Sequence, residues 1–349
     1  MLWWLKRLAW AARSIPTPEV ITSQPTVAQF RQPIVHAPAL RRTVSGATMD
    51  MPRIIVARIV DMPQSKQEIR QFLDDAETAP RHRFGQNFMI DQNLVRLVAD
   101  AGQLQAGDLA IEVGPGTGTL TDELLARGAN VLAVEIDRDL ATLLKSRYAA
   151  NPKFQLIEGD ALAGKHALNA QLLLAIRDAA GRDQPAKLVA NLPYNIASPL
   201  VIELLLAGVG LLAFTAQKEV ADRLRAAAGS DDYGPLSVMA QSLARVEFLR
   251  TLPPQAFWPA PKIDSALVRL TRDDRLGEVA GDFGRFVQTL FSFRRKTLRK
   301  ALLQAGHDPG VLALLSLDGK QRPEELTAEQ FLNLYRAAAE RGEEMMNDK

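Results

Sequence analysis

From residue 108 onward, short apolar runs closed by glycine or acidic turns alternate with longer stretches of helical spacing. The runs at 108–113, 130–137, 154–160 and 187–194 predict four strands, with helices over 120–128 and 139–150 between the first three. Further strand-like runs follow at 211–217, 246–252 and 265–270. This rhythm predicts an α/β fold, a doubly wound sheet with helices on both faces. Beyond about Arg272 the pattern is helical only, and a small helical domain is expected over 272–349, after an α/β domain over 62–271. Upstream, 65–76 has helical spacing, with Ser65 as the cap and Glu68 three residues on.

The 349 residues are 47% hydrophobic and 23% charged, enough to bury a large core and to exclude disordered and fibrous classes. There is no cysteine, which rules out disulfides, thiolate metal sites and a cysteine nucleophile. His36, His82, His166 and His307 lie far apart in sequence, so neither a bound metal nor a Ser/His/Asp triad is expected. The longest apolar stretch, 200–214, is too short for a spanning helix of about 20 residues, and a cytoplasmic protein is expected. Residues 1–61 are proline-rich and without sustained period, which reads as a mobile extension, with Met62 a candidate start. They hold eight Lys and Arg against three Asp and Glu, while the whole chain is only +2. Any nucleic-acid surface on the globular part must therefore be a local patch.

Three strand ends carry candidate ligand chemistry. The first runs into Glu112-Val-Gly114-Pro-Gly116-Thr-Gly118, a turn whose glycines let backbone approach a ligand closely. Glu135 ends the second, where a carboxylate can accept from both ribose hydroxyls, and Asp160 ends the third, near where an adenine edge would lie. Together they look like a pocket for S-adenosylmethionine. The alternative, NAD, is disfavoured because the third glycine comes one residue early. The fourth strand ends in Asn191-Leu192-Pro193-Tyr194. The exocyclic amine of adenine is a poor nucleophile because its lone pair is delocalised into the ring. A side-chain amide and a backbone carbonyl, that of Leu192 or Pro193, can accept its hydrogens and aim the lone pair, while Tyr194 offers a stacking face for an extruded base.

These motifs, with RHRFGQNFMID (81–91), FWPAPKIDSALVRL (257–270) and FSFRRKTLRKAL (291–302), make the chain resemble the small-subunit rRNA adenine dimethyltransferases, the kasugamycin-resistance type. The resemblance implies a class I methyltransferase domain with a helical C-terminal domain. It also implies transfer of methyl groups from S-adenosylmethionine to two adjacent adenosines near the 3′ end of 16S rRNA in the immature small subunit. Methyl-donor contacts carry over to Asn87, Met89, Gly114, Glu135, Asp160 and Asn191, beside Gly116 of the glycine turn, and the sandwich around the target adenine to Tyr194 and Phe257. Pro193 is expected to fix the turn. Arg294, Arg295, Lys296, Arg299 and Lys300 are expected to contact phosphates: on one helix, Arg295, Lys296, Arg299 and Lys300 share an arc opposite Leu298, Ala301 and Leu302. A monomer is expected. The stretch from Asp160 to Asn191 is longer than usual for the family, with an apolar helical segment around 172–176. The rival readings are a large-subunit rRNA adenine methylase, a DNA adenine methylase, a ribosome-assembly factor without catalysis, and a dehydrogenase.

Overall fold

The computed structural model describes residues 64–164, 167–273 and 275–347. The expected extension over 1–61 and the candidate start at Met62 lie outside the described residues, as do His36 and His166.

In chain order, helix α1 (Lys66–Asp75) precedes a short strand β1 (Phe88–Met89), helix α2 (Gln92–Ala101), strand β2 (Leu109–Val113) and helix α3 (Thr119–Ala126). Strand β3 (Asn130–Glu135), helix α4 (Arg138–Tyr148) and strand β4 (Phe154–Glu158) follow. A small hairpin, β5 (Leu162–Gly164) with β6 (Ala167–Leu168), leads into helix α5 (Ala170–Ala180), strand β7 (Lys187–Asn191), helix α6 (Ala197–Leu206) and strand β8 (Leu211–Gln217). Next come helices α7 (Lys218–Arg225) and α8 (Pro235–Leu243) and strands β9 (Ala244–Leu252), β10 (Phe257–Trp258) and β11 (Ser265–Arg272). Helices α9 (Ala280–Ser292), α10 (Leu298–Gln304), α11 (Val311–Leu314) and α12 (Ala328–Asn347) complete the chain.

The large sheet has the order β4-β3-β2-β7-β8-β11-β9. Its five strands from β4 to β8 run parallel, and β11 pairs antiparallel with both β8 and β9. Parallel strands are buried on both faces, and β2, β3 and β7 read accordingly as near-continuous apolar runs. From β2 the chain moves outward to β3 and β4, then returns to the other side of β2 as β7. That reversal opens a crevice at the carboxyl ends of β2 and β7, where ligands bind in such sheets.

The apolar segment around 172–176 proves to be α5, which buries Leu172, Ile176 and Ala179 in the connection from β4 to β7. Phe283, Leu290, Leu302 and Phe331 of the C-terminal helices belong to the same apolar cluster as sheet residues Leu188, Phe214 and Val268. The expected cap of α1 is present in both directions: the Ser65 hydroxyl accepts from the Glu68 amide at 3.3 Å and the Glu68 carboxylate from the Ser65 amide at 2.7 Å.

Candidate functional site

A cleft of about 930 Å³, open to solvent, lies at the switch point. Gly114, Gly116, Glu135, Asp160 and Asn191 all line it, as do Asn87, Met89 and Pro193. The loop after β2 is built close to its neighbours. Gly116 has φ +62°, and a methyl group there would stand 2.8 Å from the Phe88 ring, so both the backbone conformation and the space require glycine. At Gly114, with φ +72°, it would press on the Pro193 ring at 3.2 Å. The glycine loop therefore sits in contact with both the 84–89 segment and the turn after β7.

Glu135 is 4% exposed. Its Oε1 accepts from the Asp137 amide at 2.9 Å and its Oε2 from the Gly116 amide at 3.2 Å, which fixes the carboxylate against the glycine loop. The Ile136 amide also acts on this carboxylate, which keeps acceptor capacity for a ligand hydroxyl. Burial pushes this carboxyl up to about 7, opposed by the amides of Asp137 and Gly116. Asp137 is buried in turn, and holds the Arg81 guanidinium at 2.7 Å and the Gln86 amide at 3.0 Å, so the 81–89 segment is strapped to the end of β3. Asp160 is exposed at the rim, and its Oδ1 accepts from the Leu162 amide at 2.9 Å.

Glu112 lines the same cleft, a position for which sequence reasoning assigned no role. It is 2% exposed and accepts from the Thr121 hydroxyl at 2.6 Å, and burial pushes its carboxyl up to about 8 despite that bond. Both carboxyls normally titrate at 4.5, so the folded chain retains protons that the unfolded chain releases. Their stabilising effect is full below about 4.5 and is lost as pH rises through about 7 and 8. Thermal melts without ligand should therefore show Tm falling across that window. The fall should be smaller in Glu112→Gln, whose side chain stays neutral; an equal fall would assign the effect to other groups.

The turn after β7 is tightly held. Asn191 donates through Nδ2 to the Asn87 carbonyl at 2.7 Å, and its Oδ1 accepts from the Thr215 hydroxyl at 2.5 Å. The Pro193 carbonyl accepts from the Ile196 amide at 3.3 Å. Tyr194 does not line the cleft; its hydroxyl lies 2.6 Å from the Ser265 hydroxyl on β11. Burial raises the Tyr194 phenol above its ordinary value, against the lowering effect of Ser265.

Two expected placements differ from the structure. Phe257 does not face the cleft: it is 2% exposed, pairs with Met89 across the β1–β10 ribbon, and packs with Leu94, Leu252 and Leu267. The basic run is not one helix. Arg294, Arg295 and Lys296 lie in a turn after α9, and only Arg299 and Lys300 are on α10. Phe293 already caps α9, and Thr297 adopts φ −63°, ψ 151°, the extended geometry of a helix start. All five cations are nevertheless exposed, while Leu298, Ala301 and Leu302 are fully buried as their spacing requires.

The model of the family described as "Ribosomal RNA adenine dimethylase" matches residues 78–340. The chain belongs to that family. It is 40% identical over 259 residues to ribosomal RNA small subunit methyltransferase A of Hahella chejuensis, covering 73% of this chain and 91% of the relative. To the protein of the same name from Magnetococcus marinus it is 41% identical over 273 residues, covering 76% and 94%. Among solved structures, a dimethyladenosine transferase from Plasmodium falciparum superposes with a TM-score of 0.59 at 22% identity, covering 73% of this chain and 98% of that one. The 23S rRNA methyltransferase ErmE gives 0.52 at 25%, covering 72% and 100%.

Members of the family are S-adenosylmethionine-dependent rRNA adenine methyltransferases, and the fold is the Rossmann-like α/β sheet with added helices. The cleft fits that methyl donor. It is lined by a glycine loop whose positive-φ backbone comes close to the cleft without side chains, and a buried carboxylate stands at the end of β3, the ribose position of such folds. Among the described residues, no helix is long and apolar enough to cross a membrane, and no cluster of His, Asp or Glu is arranged to hold a metal ion.

Proposed function

We propose that this chain transfers methyl groups to the N6 atoms of two adjacent adenosines near the 3′ end of 16S rRNA. It would do so in the cytoplasm, as a monomer acting on the immature small subunit. The observation that carries the reading is Asn191, whose carboxamide is held from both ends at the rim of the donor cleft.

The chain's own residues supply binding and orientation. Gly114, Gly116, Glu135 and Asp160, with Asn87 and Met89 from the overlying segment, line the donor side. S-adenosylmethionine, when bound there, supplies a methyl group on a positively charged sulfur. On the acceptor side, the free lone pair of Asn191 Oδ1 accepts one N6 hydrogen of the target adenine. A backbone carbonyl of the same turn, that of Leu192 or of Pro193, accepts the second hydrogen. Both bonds pull the nitrogen lone pair out of conjugation and aim it along the cleft. The proton displaced when the N–C bond forms passes to water, so no strong base is required and positioning provides most of the rate. Tyr194, anchored by Ser265, presents its ring to the extruded base. Phe257 supports Met89 from beneath in this arrangement.

The test is transfer of labelled methyl from S-adenosylmethionine to undermethylated small subunits, followed by nucleoside analysis. N6,N6-dimethyladenosine confined to small-subunit RNA is the expected product. Label in large-subunit RNA would replace the proposed substrate, and particle binding without transfer would support an assembly factor.

A further inference from the structure

Thr215 is the polar exception in the apolar strand β8, whose other residues from Leu211 to Ala216 are Leu, Ala and Phe. It is fully buried. In the parallel pairing of β7 with β8 it stands directly opposite Asn191. Its hydroxyl donates to Asn191 Oδ1 at 2.5 Å, and its backbone carbonyl accepts from the Leu192 amide at 3.2 Å. A buried hydroxyl is costly to desolvate unless bonded, and its partner here is the side chain proposed to handle the substrate amine.

We propose that Thr215 is a positioning residue that holds the plane of the Asn191 carboxamide and so aims the free Oδ1 lone pair at the substrate amine. A carboxamide can rotate by half a turn with little change in shape, exchanging its oxygen and nitrogen. The Asn87 carbonyl only accepts, so the atom 2.7 Å from it must be the amino end. That bond alone leaves the carboxamide free to swing about a single contact. The Thr215 hydroxyl supplies the second, on the opposite atom, and the two together hold both the amide's identity and its plane. One Oδ1 lone pair is then spent on Thr215 and the other is left in a defined direction for the incoming N6 hydrogen. The backbone bond to the Leu192 amide also ties the start of the turn that carries the second acceptor to the same strand position.

This inference rests on Asn191 acting on the substrate amine, and the experiment separates the two. Thr215→Val removes the hydroxyl with almost no change of volume and keeps the backbone bond. Thr215→Ser keeps the hydroxyl. The expected result is a kcat lowered about tenfold in Thr215→Val, the loss of roughly one well-placed hydrogen bond. KM for S-adenosylmethionine should stay within about twofold and Tm should not fall, since valine suits a buried strand, while Thr215→Ser should restore most of the rate. In an Asn191→Ala background, Thr215→Val should add no further loss, because its effect runs through Asn191. A parental kcat in Thr215→Val, a serine variant as slow as the valine variant, or full additivity with Asn191→Ala would each overturn the positioning role. An Asn191→Ala enzyme as fast as the parent would instead overturn the underlying reading of Asn191.

Discussion

Replacing Asn191 with alanine is expected to lower the single-turnover rate of methyl transfer by about 10²-fold or more, with methyl-donor affinity changed only a few-fold. The magnitude follows from what one preorganised hydrogen-bond partner of the reacting centre contributes, typically about 10² to 10³ in rate. The asymmetry follows from geometry. The donor side is held chiefly by the glycine loop and by Glu135, whose bonds to the Gly116 and Asp137 amides do not involve Asn191. The substitution does free the Asn87 carbonyl and the Thr215 hydroxyl, at a stability cost of about 1–3 kcal/mol for the groups left unpaired. The comparison should therefore be made well below the melting temperature of the variant. Equilibrium dialysis with labelled donor and rapid-quench transfer to undermethylated subunits give the two quantities separately. An unchanged rate would remove Asn191 from the chemistry; a loss confined to donor affinity would make it a wall of the cofactor cleft only.

The parts of this site that can be read in the sequence are those made by consecutive residues. The loop from Gly114 to Gly118 announces itself because the strand before it, the glycine spacing and the helix after it are all local, and Glu135 and Asp160 follow from where apolar runs stop. Asn87 and Met89 could be carried over only by resemblance, since what brings them to the cleft is a two-residue ribbon between Phe88–Met89 and Phe257–Trp258. Two residues carry no periodicity, and their partners are some 170 positions away in sequence. Thr215 had a visible signal, a lone hydroxyl in an apolar strand, but its partner depends on β7–β8 register, which the pattern does not specify. Phe257 and the basic run differ from expectation for separate reasons. The role of Phe257 in the base sandwich comes from the resemblance alone, whereas an aromatic before a proline-rich turn reads as core and is buried here, and the cationic run at helical spacing is broken by the cap at Phe293.

The broken helix sharpens the expectation for RNA binding. Arg294, Arg295 and Lys296 project from a turn and Arg299 and Lys300 from the first turn of α10, so the cations are spread over two backbone geometries instead of one helical face. None of the five makes an ion pair among the described residues, whereas Arg81, Arg147 and Arg269 are all engaged with carboxylates. Exposed cations outside close ion pairs stay available to an incoming phosphate, Arg299 sharing only a longer-range attraction with Asp308, and each phosphate contact releases bound counterions. Replacing Arg295 and Arg299 together by glutamine should lower affinity for undermethylated subunits by about tenfold at moderate salt. It should also reduce the slope of log affinity against log salt by roughly 1.4 to 1.8, at about 0.7–0.9 per phosphate contact. Because Leu298, Ala301 and Leu302 anchor α10 from its buried side, the fold should be undisturbed, and affinity for S-adenosylmethionine should not change. Filter binding across a salt series measures both quantities. A slope equal to the parent's would place the rRNA contact on another face, and weakened donor binding would tie the turn to the cleft instead of to RNA.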